Sequence, residues 1–228
     1  MRNISAKYLI LIFIGLSICL KAQTINRYGT TTANFLEIGV GSRATSMGDA
    51  YVAVANDVSS IYWNPAGLSN VSRSSALFSI QPWLVDIDMM FAGGAFVVPN
   101  VGVLGLGITH LDYGEMDVTN LEYQDGTGEQ FGASDVAATF TFSRKIVSWF
   151  SFGTSMKYIS SKIWHSSASA FAVDLGVLVN TNFFSFTGKD GDGMNIGMSI
   201  SNYGTRMKYD GIDNYQPIDI SEYEEGNY

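Results

Sequence analysis

The sequence predicts an all-β fold, an antiparallel transmembrane β-barrel preceded by an N-terminal plug. Three observations predict it. The 228 residues are 46% hydrophobic and only 15% charged, yet past the N-terminus no apolar run approaches the roughly 20 residues that a membrane-spanning helix needs. Apolar residues recur instead at every second position, in segments of about ten residues, the length of a tilted membrane strand. Tight connections between these segments alternate with long acidic ones, the habit of barrels that turn sharply on one side of the membrane and loop widely on the other. Lipid-facing and lumen-facing residues alternate along such a wall, so its hydrophobicity is spread over many strands.

The N-terminus is read as a secretory signal peptide over residues 1–22. Arg2 and Lys7 flank or precede thirteen apolar or small residues at 8–20, and Lys21 and Ala22 meet Gln23 at a plausible cleavage point. Cys19 is the only cysteine and lies inside this leader, so a mature chain starting at Gln23 has no disulfide, thiolate nucleophile or cysteine ligand. Without Arg2, Lys7 and Lys21 the mature chain has 10 basic against 21 acidic residues, a net charge of −11. That balance excludes nucleic acid as a partner.

Residues 23–72 form the expected plug, concentrated in 35–68. Gly39, Gly41, Ala44, Gly48, Ala50, Ala53 and Ala55 let backbone approach backbone closely. Asp57 is placed to cap a short helical turn over 58–62. Pro65 ends that turn by pushing Asn64 out of helical geometry.

Residues 73–228 carry seven candidate strands. The sixth is the clearest, with Phe171, Val173, Leu175, Val177 and Val179 on one face and Ala172, Asp174, Gly176, Leu178 and Asn180 on the other. The fourth sets Val136, Ala138, Phe140 and Phe142 outward against Asp135, Ala137, Thr139 and Thr141. The fifth sets Phe150, Phe152, Met156 and Tyr158 against Ser151, Gly153, Ser155 and Lys157. One face suits lipid and the other a polar lumen, which makes Asp135, Lys157 and Asp174 lumen-facing candidates. By the same logic Asp at Val173 or Val177 should impair assembly far more than Gly176→Ser. The other strands fall near 74–82, 88–98, 101–111 and 194–203. The second is ambiguous in register, since Met89, Met90, Phe91, Phe96, Val97 and Val98 supply apolar side chains to both faces. Gly102, Gly105 and Gly107 in the third are read as room for the plug against the wall.

The connections at Pro99-Asn100 and 144–148 are short. Residues 112–130 form a long one holding Asp112, Glu115, Asp117, Glu122, Asp125 and Glu129, and the chain past Gly204 is also acidic. By strand parity both acidic segments face the cell exterior, and 182–193 the periplasm. Trp83, Tyr113, Trp149, Trp164 and Tyr203 sit near proposed strand ends, where aromatic girdles meet the interface. Barrels of one bacterial chain close with an even number of strands. Seven strands and an acidic end at Tyr228 therefore predict the first half of a barrel, with strands one and seven unpaired at their outer edges.

No catalytic chemistry stands out. His110 and His165, one expected in the lumen and the other in a loop, have no second ligand at metal spacing. Asp190-Gly191-Asp192-Gly193 lacks the downstream Glu of a calcium loop and reads as a turn. No enzyme activity, metal or cofactor is expected.

The most specific string joins Gly39-x-Gly41-x-Arg43-Ala44-x-x-Met47-Gly48-x-Ala50, then Ala53-x-Ala55-x-Asp57, then Trp63-Asn64-Pro65-Ala66-Gly67-Leu68. It resembles the N-terminal segment of the PorV/PorQ family, outer-membrane barrels related to the FadL-type fatty acid transporters, whose N-terminal hatch carries an Asn-Pro-Ala motif. The resemblance implies a FadL-like barrel of about 14 strands, of which this chain covers half, with Arg43, Gly48, Asp57, Asn64, Pro65, Ala66 and Gly67 as hatch motif. It implies a place in the outer membrane of a Gram-negative bacterium, and a part in type IX protein secretion and surface attachment with cargo proteins or secretion-system components as partners. Kinship to FadL implies the alternative, a channel for hydrophobic small molecules. A soluble exported β-sandwich is the third reading, against which heat-modifiable migration in detergent would count.

Overall fold

Seven strands follow one another as an antiparallel meander. They are β1 (Ser75–Pro82), β2 (Asp88–Val98), β3 (Gly102–Asp117), β4 (Gln130–Val147), β5 (Phe150–Ile163), β6 (Ser166–Asn180) and β7 (Asn195–Gly204). Each pairs with the next in order, and β8 (Asp210–Gly211) adds a short pair with Ser166 and Ser167 of β6. The computed structural model describes residues 32–84, 87–185, 187 and 193–212. The leader, the Asp190-Gly191-Asp192 run and the acidic end past Ile212 lie outside the described residues. The sheet is open: among the described residues β1 and β7 do not pair with each other. Seven antiparallel strands with β1 and β7 unpaired at their outer edges, as the sequence predicts for this chain, are thus seen among the described residues, and a closed barrel is not.

The strands outrun their predicted limits on both sides, and β4 runs through Val147 into the connection expected at 144–148. Asp112, Glu115 and Asp117, expected in a loop, belong to β3, which pairs on with β4 past a register shift between Asp112 and Glu115. Ladder hydrogen bonds come from the backbone, so exposed acidic side chains do not stop a strand. The connection 118–129 is itself fastened, with Val118 N donating to Glu129 O at 2.9 Å and Thr127 N to Val118 O at 2.8 Å. The expected alternation of short and long connections does not hold either. β5 and β6 are joined by two residues, with Trp164 at φ 49°, on the same side as 118–129. On the opposite side, Asn100 (φ 65°) makes the tight turn before β3, where Val101 N donates to Val98 O at 3.1 Å; asparagine tolerates this left-handed geometry.

The two faces of the sheet are chemically distinct. Phe78, Ile80, Leu106, Ile108, Phe140, Met156, Phe171 and Leu175 point away from the N-terminal segment and are exposed, Phe78 by 66%. The opposite face is covered by residues 33–72, comprising 3-10 turns Asn34–Glu37 and Pro65–Asn70 and the one-turn helices α1 (Ser42–Thr45) and α2 (Ser60–Trp63). Helices this short are not stable alone; burial holds them. Phe35, Val40, Val58, Ile61 and Leu68 pack into one core with Met89, Phe91, Val103, Leu111 and Ile159 of the sheet.

That packing decides the register of β2, which the sequence leaves open. Met89, Phe91 and Ala95 turn inward and are buried, while Phe96 is exposed. It also corrects the expected polar lumen. The inner face is mainly apolar on β2 and β3 and mixed on β4–β6, where Thr139, Thr141, Ser143, Ser151, Ser155, Lys157 and Asp174 are buried beside Ala137, Ile159, Ala170 and Leu178. Tyr113 is no girdle residue: it lies within β3 and donates its hydroxyl to Asp135 on the inner side at 2.7 Å. His110 has the outward parity of β3 and His165 sits in the β5–β6 turn, so neither occupies a lumen.

Candidate functional site

The residues of the Asn-Pro-Ala string gather where the N-terminal segment meets β4–β6. Asp57 accepts the Ser59 N–H at 2.8 Å and the Ser59 hydroxyl at 2.5 Å, which starts α2 at Ser60, later than the 58–62 turn expected. Pro65 ends it: Asn64 is extended, with φ −158° and ψ 106°. The two aromatics before it fasten the segment to itself. Tyr62 Oη donates to Leu36 O at 2.7 Å and Ile38 O at 2.9 Å, and Trp63 Nε1 donates to Val40 O at 2.9 Å. Burial pushes the Tyr62 hydroxyl pKa up, helped by the charges of Asp49, Glu37 and Asp174, so it remains a neutral donor.

Asn64 then bridges the segment to the sheet. Its Nδ2 donates to Val52 O at 2.9 Å and to Val177 O of β6 at 3.2 Å, while its Oδ1 accepts the Ala66 N–H at 3.1 Å. Ser143 of β4 donates to Ala66 O at 3.1 Å and accepts the Ser69 N–H at 3.1 Å. The floor is built of two glycines, Gly153 of β5 and Gly176 of β6, which stand opposite each other in register. A Cβ at Gly153 would strike Pro65 and Ala66, and one at Gly176 would strike the Asn64 carboxamide, with Pro65 Cδ at 2.9 Å. Gly176→Ser, expected from the sequence to impair assembly far less than Asp at Val173 or Val177, would set its side chain against the docked segment. This variant should loosen the segment, raising protease cleavage within 33–72, and cleavage at the wild-type rate would contradict the packing.

Gly105 and Gly107 also serve close approach, since their Cβ atoms would lie 2.7 Å from Leu68 Cδ2 and 2.9 Å from Ile61 Cγ2. Gly102 does not: at φ 145° it faces the Ser143 carbonyl of the adjacent strand. Within the segment, Gly67 lies against Ala55 O and Ser60 Oγ, and Gly48 takes a left-handed φ of 62°. Arg43 is half exposed, donates to Asn56 Oδ1 at 2.8 Å, lies 3.7 Å from Asp57 Oδ2 and stacks 5.4 Å over the Tyr51 ring.

Of the three inward candidates, two meet. Lys157 Nζ lies 2.8 Å from Asp174 Oδ2, both side chains almost wholly buried, and donates to Asn202 Oδ1 at 2.8 Å. Asp174 Oδ1 accepts the Asn202 N–H at 2.7 Å, at the shift in β6–β7 register between Val173 and Leu175. Two residues of β7 oppose one of β6 there, a β-bulge that Asn202 enters at φ 58°. Asp135 stands apart with Tyr113. Among the described residues no three His, Cys, Asp or Glu side chains gather to hold a metal ion.

The family model described as "Type IX secretion system protein PorV" matches residues 21–223. The chain belongs to the PorV family. Its function is accordingly that of a type IX secretion system protein. Among curated proteins none matches the chain. PorV-family membership carries no known enzymatic role, suggests interaction with secretion components and is consistent with a place in the bacterial cell envelope. The matched span takes in Arg43, Gly48, Asp57, Asn64, Pro65, Ala66 and Gly67 and every described strand. Sequence reasoning found Asn64, Pro65 and Ala66 but missed their partners Ser143, Gly153 and Val177, which lie far along the chain and carry no local signal.

Proposed function

We propose that the seven strands are part of the wall of a β-barrel in the outer membrane of a Gram-negative bacterium, reached through a cleaved leader at 1–22. Residues 33–72 are its hatch, and the protein receives secreted cargo and passes it to the surface attachment machinery. The observation that carries this reading is the two-sided sheet. One face exposes a band of large apolar side chains, Phe78, Ile108, Phe140, Met156, Phe171 and Leu175 among them, far more than a soluble surface holds in one patch. The backbone polar groups between the strands are meanwhile satisfied by the ladder, as lipid demands. In a bilayer the edges of β1 and β7 also need strand partners, so the proposed wall is larger than the seven strands described. The inner face, packed by the hatch rather than open, supports secretion over a channel for hydrophobic molecules.

A strain lacking the protein should lose cargo from its surface while still exporting it to the periplasm. Intact surface cargo together with lost uptake of a hydrophobic compound would reverse the choice. The membrane reading has its own check. Leu175→Arg puts a charge in the middle of the outward band, at a cost of about 2–4 kcal/mol near the bilayer midplane, and should cut the yield of membrane-inserted protein sharply. Equal yields for Leu175→Arg and Leu175→Ala would argue against lipid on this face.

A further inference from the structure

We propose that Gly153 and Gly176 form a fixed socket for Asn64, Pro65 and Ala66, so that the hatch stays docked on β4–β6 while the protein works and is not withdrawn as a gate. This rests on reading 33–72 as the hatch and concerns how that hatch behaves.

The two glycines pair directly across β5 and β6, so their missing side chains make one depression, and Asn64, Pro65 and Ala66 fill it closely enough that a methyl group at either position would collide. The depression is gripped from both sides. Val177 O of β6 holds the Asn64 carboxamide, and the Ser143 hydroxyl of β4 both donates to Ala66 and accepts from Ser69. Asn64 and Ser143 are fully buried, so withdrawal would leave paired polar groups and the Phe35, Ile61 and Leu68 contacts to be broken together. Interlocked shapes do not slide past each other, and the docking is all or none. The N-terminal half of the hatch is held differently. Arg43, Thr45, Ser46 and Asp49 are exposed, and the polar ties of this half run to Tyr62 and Trp63, while Phe35 and Val40 pack in the core.

The test is a cross-link. Ser69→Cys with Ser143→Cys joins hatch to wall at an existing contact, and the only other cysteine in the sequence is Cys19. In a strain lacking the wild-type protein, the oxidised double variant should display cargo at the level of its reduced form. Loss of surface cargo on oxidation, restored by reductant, would overturn the proposal. Hydrogen exchange on the wild-type full chain in membranes gives a readout independent of secretion. The Ala66 and Ser69 amides should be as protected as those of β5, and exchange as fast as at residues 45–49 would also overturn it. Finally, Asn64→Ala added to Gly176→Ala should recover part of the hatch protection that Gly176→Ala loses, because it removes the carboxamide the methyl strikes. A double variant worse than both single ones by the sum of their losses would count against the socket. If surface cargo is indifferent to deletion of the whole protein, the secretion reading fails while exchange and the double variant still decide the socket.

Discussion

Lys157→Met is expected to destabilise the folded protein by about 3–5 kcal/mol, the usual cost of leaving one partner of a buried ion pair alone. Surface pairs are worth far less because water screens them, but the Lys157 side chain is 4% exposed and that of Asp174 1%. Removing the ammonium leaves the carboxylate only the Asn202 N–H. It also frees the Asn202 side chain, so the β7 bulge loses one of its two ties and keeps the Asn202 N–H to Asp174. Lys157→Met combined with Asp174→Leu should be much less harmful than Lys157→Met alone, since an apolar pair of similar volume carries no desolvated charge. Thermal unfolding in detergent, read by the shift from folded to unfolded migration, measures both. A double variant as unstable as the single one would show that the pair acts through packing and not through charge.

Ile61→Ala should cost about 2–5 kcal/mol of the docking of residues 33–72 on the sheet. Ile61 is 1% exposed and packs with Phe35, Leu68, Phe91 and Val103 in one core. Its wall neighbours Gly105 and Gly107 have no side chains to move into the space left behind, so the cavity persists and the loss falls at the upper end. Met47→Ala, on the exposed side of the N-terminal segment, should change stability little. Limited proteolysis of the two variants side by side reads the difference. Similar cleavage within residues 33–72 for both would place this segment outside the core described.

How much was legible in the chain depended on how local the cause was. Strands four to six could be read because their period-2 pattern is carried by each segment alone, and the faces of Phe171, Val173 and Leu175 against Ala172 and Asp174 came out as read. Strand two could not. Met89, Met90, Phe91 and Phe96 are equally apolar, and only contact with Phe35 and Ile61 selects which turn inward. Loop lengths misled for a related reason: acidic residues after Leu111 look like loop, yet backbone pairing extends β3 through Asp117 because ladder bonds ignore side-chain charge outside an apolar layer.

By itself the sequence determined the class of the protein: an alternating wall, a small-residue N-terminal segment and an Asn-Pro-Ala string in an order specific enough to mark the PorV family. These are properties of neighbouring residues, and neighbours are what a sequence displays. The tertiary structure alone decided that Gly153 and Gly176 make one socket, that Ser143 clasps Ala66 and Ser69, and that Lys157 and Asp174 are partners tied to Asn202. Each of those joins residues tens of positions apart, and a glycine or serine has the same local signature whether it faces solvent or a docked segment. The register of the sheet brings them together, and register is set by packing that involves the whole fold.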